Sequence, residues 1–173
     1  MIMRAPVRRL SLVTHVVCSV GWLGAVAVSL VLAFVGLTAT DGRLVQAAYL
    51  ILPVVGWGVL VPLSVLSLTT GVVQGLGTRW GLVRHYWVLV KLVMNLLSTT
   101  ILLLYMQTLA LLADDARAWT GADLDLMRSP SPVLHAGIAL VLLIVAAVLS
   151  VYKPAGQTGL GRGQARVRFT EGK

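Results

Sequence analysis

The chain has 173 residues, of which 58% are apolar and 12% are charged, and its formal net charge is +8. A soluble domain averages about a quarter charged residues, so this composition excludes an ordinary soluble enzyme and indicates a polytopic membrane protein of one domain. No basic stripe with interleaved aromatic residues is present, so nucleic acid is not an expected partner. A single cysteine, Cys18, excludes an intrachain disulfide and a multi-cysteine zinc or iron–sulfur site.

Four apolar stretches are long enough to cross a bilayer, which takes about 20 residues. The predicted spans are residues 11–37, 46–74, 86–112 and 133–152. The first follows a basic segment, as in a signal peptide, but its apolar run to Leu37 exceeds the roughly 7–15 residues of such a peptide. The sequence therefore predicts an all-α bundle of four transmembrane helices over residues 1–152, followed by a basic, disordered cytoplasmic tail over residues 153–173.

The distribution of Lys and Arg orients the chain, because cytoplasmic loops are enriched in both. One side of the membrane receives three basic residues: Arg43, Arg117 and Arg128. The other side receives ten: Arg4, Arg8, Arg9, Arg79, Arg84, Lys153, Arg162, Arg166, Arg168 and Lys173. Both termini are therefore expected in the cytoplasm, with the protein in the cytoplasmic (inner) membrane and the lipid bilayer as its principal partner.

Small residues on the predicted helices allow close helix packing. Gly71 and Gly75 form a GxxxG pair, which permits a homo-oligomer or a membrane partner subunit. Packing of helices within one chain uses the same kind of residue, so both interpretations remain open. Pro53 and Pro62 lie in the second span, where the missing backbone donors predict a kink.

The acidic loop over residues 114–132 separates the third and fourth spans. It is expected to be solvated. The alternative is a short segment resting on the membrane interface through its apolar residues, which are Trp119, Leu124, Leu126 and Met127.

Polar residues recur at helical spacing on one face of three spans. The first span carries His15, Ser19, Trp22 and Ser29, the second Ser67, Thr70 and Gln74, and the third Lys91, Asn95, Ser98 and Tyr105. Lipid offers these groups no hydrogen-bond partners, so the three faces are expected to meet inside the bundle. At 1.5 Å per residue, His15 and Lys91 lie at matching depth, about 10 Å inside the cytoplasmic half.

A charge in a membrane helix is costly, which makes Lys91 a functional-site hypothesis. The alternative is that its long stem snorkels to the cytoplasmic surface. The predicted cofactor-binding residues are His15, Lys91, Asn95, Gln74 and Trp22. Trp22 is alternatively a packing residue.

Two cofactors suit this set, haem b and copper. For haem, His15 is the expected ligand, alone or with Lys91, because the next histidine, His85, lies at the interface. For Cu(I), which prefers soft ligands, His15 and Cys18 share one helix face and Met94 approaches from the third span. Cys18 is alternatively a small apolar packing residue.

Enzyme activity stays an open question, since no catalytic triad, P-loop, dinucleotide fingerprint or HExxH motif occurs. Two further functional classes remain beside a cofactor protein. One is a non-enzymatic structural or partner-binding membrane subunit, in which the polar cluster only holds the bundle together. The other is a small-solute or ion transporter, which requires a water-filled path to the outer face.

Three segments carry a resemblance to a known family. His15 with residues 20–25 (VGWLGA) resembles the H-x(n)-W-x-G signature of the copper-resistance D-like membrane superfamily, and residues 87–91 (WVLVK) resemble its aromatic-x-x-x-Lys signature. Residues 77–87 (GTRWGLVRHYW) resemble an uncharacterised four-helix branch of that superfamily, over about residues 8–153. The resemblance implies copper handling, as in the copper-resistance D proteins. It alternatively implies bound haem with a helix-one histidine and a helix-three lysine, as in the distantly similar HemJ-type protoporphyrinogen oxidases.

Overall fold

The computed structural model describes residues 3–78, 81–121, 123–156 and 158–159. Its four membrane-length helices are α1 (Ala5–Thr38), α2 (Gly42–Gly77), α3 (Tyr86–Ala118) and α4 (Ser131–Tyr152). Each is long and apolar enough to span a bilayer, and no strand element occurs in the described ranges. The predicted all-α class and the four spanning helices are thereby confirmed. The cytoplasmic placement of the termini stays a prediction.

The helices extend beyond the apolar stretches that revealed them. α1 begins at Ala5 rather than residue 11, with proline in its first turn, where a missing N–H costs nothing. α3 continues to Ala118 through a polar last turn. At 1.5 Å per residue these two helices are about 50 Å long, so their ends project past a hydrocarbon layer about 30 Å thick.

A π-helical turn, Gly56–Leu60, interrupts α2 between Gly42–Val55 and Val61–Gly77. It lies between Pro53 and Pro62, neither of which can donate a backbone hydrogen bond. The Val61 N–H reaches the carbonyl of Gly56, five residues earlier, so the widened turn keeps that carbonyl paired. π turns are recognised sites of helix bending, and this one lies where the prolines predict a kink.

Two apolar clusters form the interior. Trp22, Val26 and Leu60 pack in the middle of the bundle. A larger cluster lies nearer the connection between α3 and α4, built from Val45, Tyr49, Leu52, Met106, Leu109, Ala116 and Met127. Large apolar side chains on the outer faces of all four helices are exposed, as expected for surfaces that meet lipid.

The loop end of the bundle carries the connections 39–41 and 119–130. Tyr49 Oη accepts a hydrogen bond from the Ser129 N–H at 2.9 Å, and Arg128 donates to the carbonyl of Ala39 at 2.8 Å. Met127 is buried and Leu124 packs against the larger cluster, whereas Leu126 is exposed. The acidic connection is therefore not fully solvated, because its apolar side chains cover the end of the core.

The terminal end of the bundle carries the connection 78–85 and both ends of the described chain. The Met3 N–H donates to the carbonyl of Gly77 at 3.1 Å, and the Thr158 N–H donates to the carbonyl of Arg84 at 3.0 Å. Arg79 lies outside the described residues, as do residue 157 and residues 160–173. The expectation of a disordered tail stays a prediction.

Candidate functional site

The polar site is built around His15, on the third turn of α1. Its Nδ1 lies 3.0 Å from the Thr70 hydroxyl of α2. That hydroxyl also lies 2.6 Å from the carbonyl of Leu66, to which it can donate its own proton, and its oxygen then accepts from Nδ1–H of His15. In that tautomer the lone pair of the neutral ring is on Nε2.

Close approach of α1 to α2 holds the ring in this position. A Cβ atom on Gly71 would lie 3.2 Å from Cε1 of His15, tighter than nine in ten real contacts, so a larger residue there would displace the imidazole by a few tenths of an ångström. One turn earlier on α1, Gln74 donates to the carbonyl of Ser11 at 2.9 Å. Gln74 therefore joins the site through the α1 backbone and does not contact the imidazole.

A second set of hydrogen bonds joins three helices. Ser19 of α1 and Ser67 of α2 pair at 2.8 Å, and the Asn95 amide of α3 donates to the same Ser67 oxygen at 3.3 Å. Ser67 is fully buried, so it is the point at which the polar faces of α1, α2 and α3 meet. The predicted convergence of these three faces is present in the structure.

Lys91 forms its hydrogen bond with α4 and not with α1 or α2. Its ammonium group donates to the Ser150 hydroxyl of α4, and Ser150 in turn donates to the carbonyl of Ala146 at 2.9 Å. The ammonium also lies 6.0 Å from the ring centroid of Trp87. His15 therefore bonds α2 whereas Lys91 bonds α4, and no hydrogen bond joins the two residues in the described ranges.

Trp22 and Cys18 are buried, at 2% and 6% exposure. Trp22 packs into the middle cluster, and its Nε1–H has no hydrogen-bond partner in the described structure. The Asn95 Oδ1 and the Thr99 hydroxyl are likewise buried without a partner there. Orphaned buried polar atoms are uncommon and call for an explanation such as a bound molecule.

The side chains that could ligate a metal suit haem, which takes one protein ligand, better than a metal ion held by protein ligands alone. Among the described residues, no three of His, Cys, Asp and Glu come together. His15 and Cys18 remain the only such pair on the inner face of α1, and Met94 is half-buried on α3. Copper held by protein ligands alone would need more donors than this, whereas haem needs one axial nitrogen.

The other two histidines lie elsewhere. His85 immediately precedes α3 at the terminal end. His135 stacks on Tyr105 at the loop end, with ring centroids 3.8 Å apart, and Tyr105 bonds Ser131 of α4 at 3.0 Å. Tyr105 therefore does not belong to the polar site, although it lies on the same face of α3 as Lys91.

Sequence reasoning missed Ser150, the partner of Lys91. Its signal was present, because Ser150 is the one serine or threonine in the last four turns of α4, at the same end of the bundle as Lys91. Comparison of the chain with protein families, with curated proteins and with solved structures finds no match, so the functional conclusion rests on the chemistry of these side chains.

Proposed function

We propose that this multi-pass membrane protein binds a cofactor, haem or a metal ion, at His15 in the terminal half of the bundle. Nε2 of His15 is the donor atom. The observation that carries the proposal is the hydrogen bond between Nδ1 of His15 and the Thr70 hydroxyl, because donation from Nδ1–H leaves the lone pair of Nε2 for a ligand. Metal-binding histidines are oriented in this way by a hydrogen bond at the other ring nitrogen.

Haem is the better fit of the two cofactors. It requires one histidine nitrogen, which His15 supplies. Trp22, Asn95 and Thr99, further along α1 and α3, carry buried polar atoms without a partner in the described ranges. When bound, such a group carries out electron transfer or oxygen chemistry that side chains alone do not. Assignment to the copper-resistance D-like superfamily and to the cytoplasmic membrane are part of the same proposal, supported by the motifs and the basic terminal end.

The proposal is tested by the absorption spectrum and metal content of detergent-purified protein produced with haem and copper supplied. The wild type is expected to show a Soret band at one haem per chain, and His15→Ala to lose it. His135→Ala is the matched control at the loop end and keeps the band. Thr70→Val removes the acceptor of Nδ1–H and weakens binding by about 10–100-fold, the usual effect of losing such a partner. A wild-type spectrum with tryptophan absorbance only and no metal would contradict the proposal.

A second function is favoured by one specific observation. Ser19, Ser67 and the amide nitrogen of Asn95 hydrogen-bond one another across three helices, which is what a purely structural polar core does. Under this alternative the protein is a structural or partner-binding subunit, and His15→Ala lowers stability without any spectral change. A transport function is disfavoured, because it needs a water-filled path from the polar site to the loop end. Leu102 lies between Thr99 and Tyr105 on α3 and packs against both apolar clusters, which occupy that part of the interior.

A further inference from the structure

The ammonium group of Lys91 is a charge on the membrane-length helix α3, and not all of its hydrogen-bond donors have acceptors in the described ranges. It has three donors, and the one hydrogen bond that it makes within the described ranges goes to the neutral hydroxyl of Ser150. Ser150 has already donated its proton to Ala146, so it offers Lys91 a lone pair and no negative charge. The Trp87 ring at 6.0 Å contributes a weak cation–π attraction at most.

No carboxylate of the described chain neutralises Lys91. The described aspartates all lie near the loop end: Asp41, Asp114, Asp115, Asp123 and Asp125. Both ion pairs in the described ranges form there, to Arg117 and Arg128. The terminal end instead carries four further basic side chains in the described ranges, Arg4, Arg8, Arg9 and Arg84, together with Lys153.

The position of Ser150 places the Lys91 ammonium close to the membrane surface. Ser150 lies two residues before the end of α4 at Tyr152, about 3 Å along the helix axis. The stem of Lys91 thus reaches toward the terminal end, as a snorkelling lysine does. Tyr86 and Tyr152, both exposed, lie at the terminal ends of α3 and α4 and are residues typical of the headgroup layer.

We infer that the α3–α4 contact at Lys91 and Ser150 binds an oxyanion of the phosphate type. Phosphate matches the unused donors of the ammonium group, its charge and its depth at the edge of the membrane. The oxyanion belongs either to the headgroup of an anionic phospholipid or to a soluble phosphate. The inference does not rest on the proposed cofactor function, because that proposal uses Nε2 of His15, which bonds α2, whereas Lys91 bonds α4.

The test is a binding titration of delipidated, detergent-purified protein followed by native mass spectrometry. The probes are phosphatidylglycerol, phosphatidylcholine and inorganic phosphate. We expect the wild type to prefer phosphatidylglycerol to phosphatidylcholine, and Lys91→Met to lose about tenfold in affinity for it, the factor that one charged hydrogen bond provides. Arg43→Gln, which removes a cation at the loop end, is the matched control and leaves binding unchanged.

The arms of the titration separate the two sources of phosphate. Displacement of phosphatidylglycerol by millimolar inorganic phosphate identifies a soluble oxyanion, and resistance to displacement identifies the lipid headgroup. Equal affinity of wild type and Lys91→Met for phosphatidylglycerol would overturn the inference. If Lys91→Met does not fold, the wild-type titration still tests the inference. Equal binding of phosphatidylglycerol and phosphatidylcholine by the wild type, together with no binding of inorganic phosphate, would overturn the inference.

Discussion

Replacement of Ser67 by alanine tests whether the three-helix polar contact stabilises the bundle. The Ser67 side chain is 1% exposed, pairs with Ser19 at 2.8 Å and accepts from Asn95 at 3.3 Å. Alanine removes both bonds and leaves Ser19 of α1 and Asn95 of α3, both partly buried, without that partner. Interhelical hydrogen bonds in membrane proteins average about 0.6 kcal/mol each, and an abandoned buried group costs about 1–3 kcal/mol. The variant is therefore expected to lose about 1–3 kcal/mol of unfolding free energy.

Ser64→Ala is the matched control, on the same helix and equally buried. Its hydroxyl donates only to the carbonyl of Val61 on its own helix, so its loss should change the unfolding free energy by less than about 0.5 kcal/mol. The assay is reversible unfolding in mixed detergent and dodecyl sulfate micelles, followed by far-ultraviolet circular dichroism. A Ser19→Ala and Ser67→Ala double-mutant cycle isolates the pair and should give a coupling of about 0.5–1.5 kcal/mol. Equal stability of Ser67→Ala and Ser64→Ala would refute the reasoning.

Two further substitutions address the loop end and the approach of α1 to α2. Tyr49→Phe leaves the Ser129 N–H without its acceptor at 2.9 Å, so the same unfolding assay should show a loss of about 1–2 kcal/mol, and no loss would mean that water replaces the hydroxyl. Gly71→Ala places a methyl group against the His15 ring, so haemin titration should show weaker binding while the helical content is unchanged. Gly24→Ala, where the added Cβ meets open space, should bind haemin as the wild type does; equal binding by Gly71→Ala would count against the packing of His15 described above.

Much of the site follows from sequence periodicity. Lipid cannot satisfy a hydroxyl or an amide, so polar residues at helical spacing must face other helices. That reasoning places His15, Ser19, Ser67, Thr70 and Asn95 on facing helix surfaces, and the structure shows their contacts.

The partner of Lys91 and the ends of the helices did not follow from sequence. Hydropathy identifies four spans but not their lateral order, and that order decides that Lys91 meets Ser150 of α4. An apolar stretch predicts which residues lie in the hydrocarbon layer, but a helix can continue outside that layer. α1 and α3 therefore run past their predicted ends into polar sequence. The π turn in α2 depends on which carbonyl accepts each backbone hydrogen bond near the two prolines. The sequence does not specify that pairing.

The most direct test of the cofactor proposal is chemical rescue of His15→Ala by imidazole. The purified variant is loaded with haemin, and absorption spectra are recorded with and without added imidazole. If Nε2 of His15 is the axial donor, the variant shows no histidine-type Soret band until imidazole fills the vacated position, and then the wild-type band returns. Persistence of the wild-type band in the variant before imidazole is added would show that His15 is not the ligand and would contradict the proposed function.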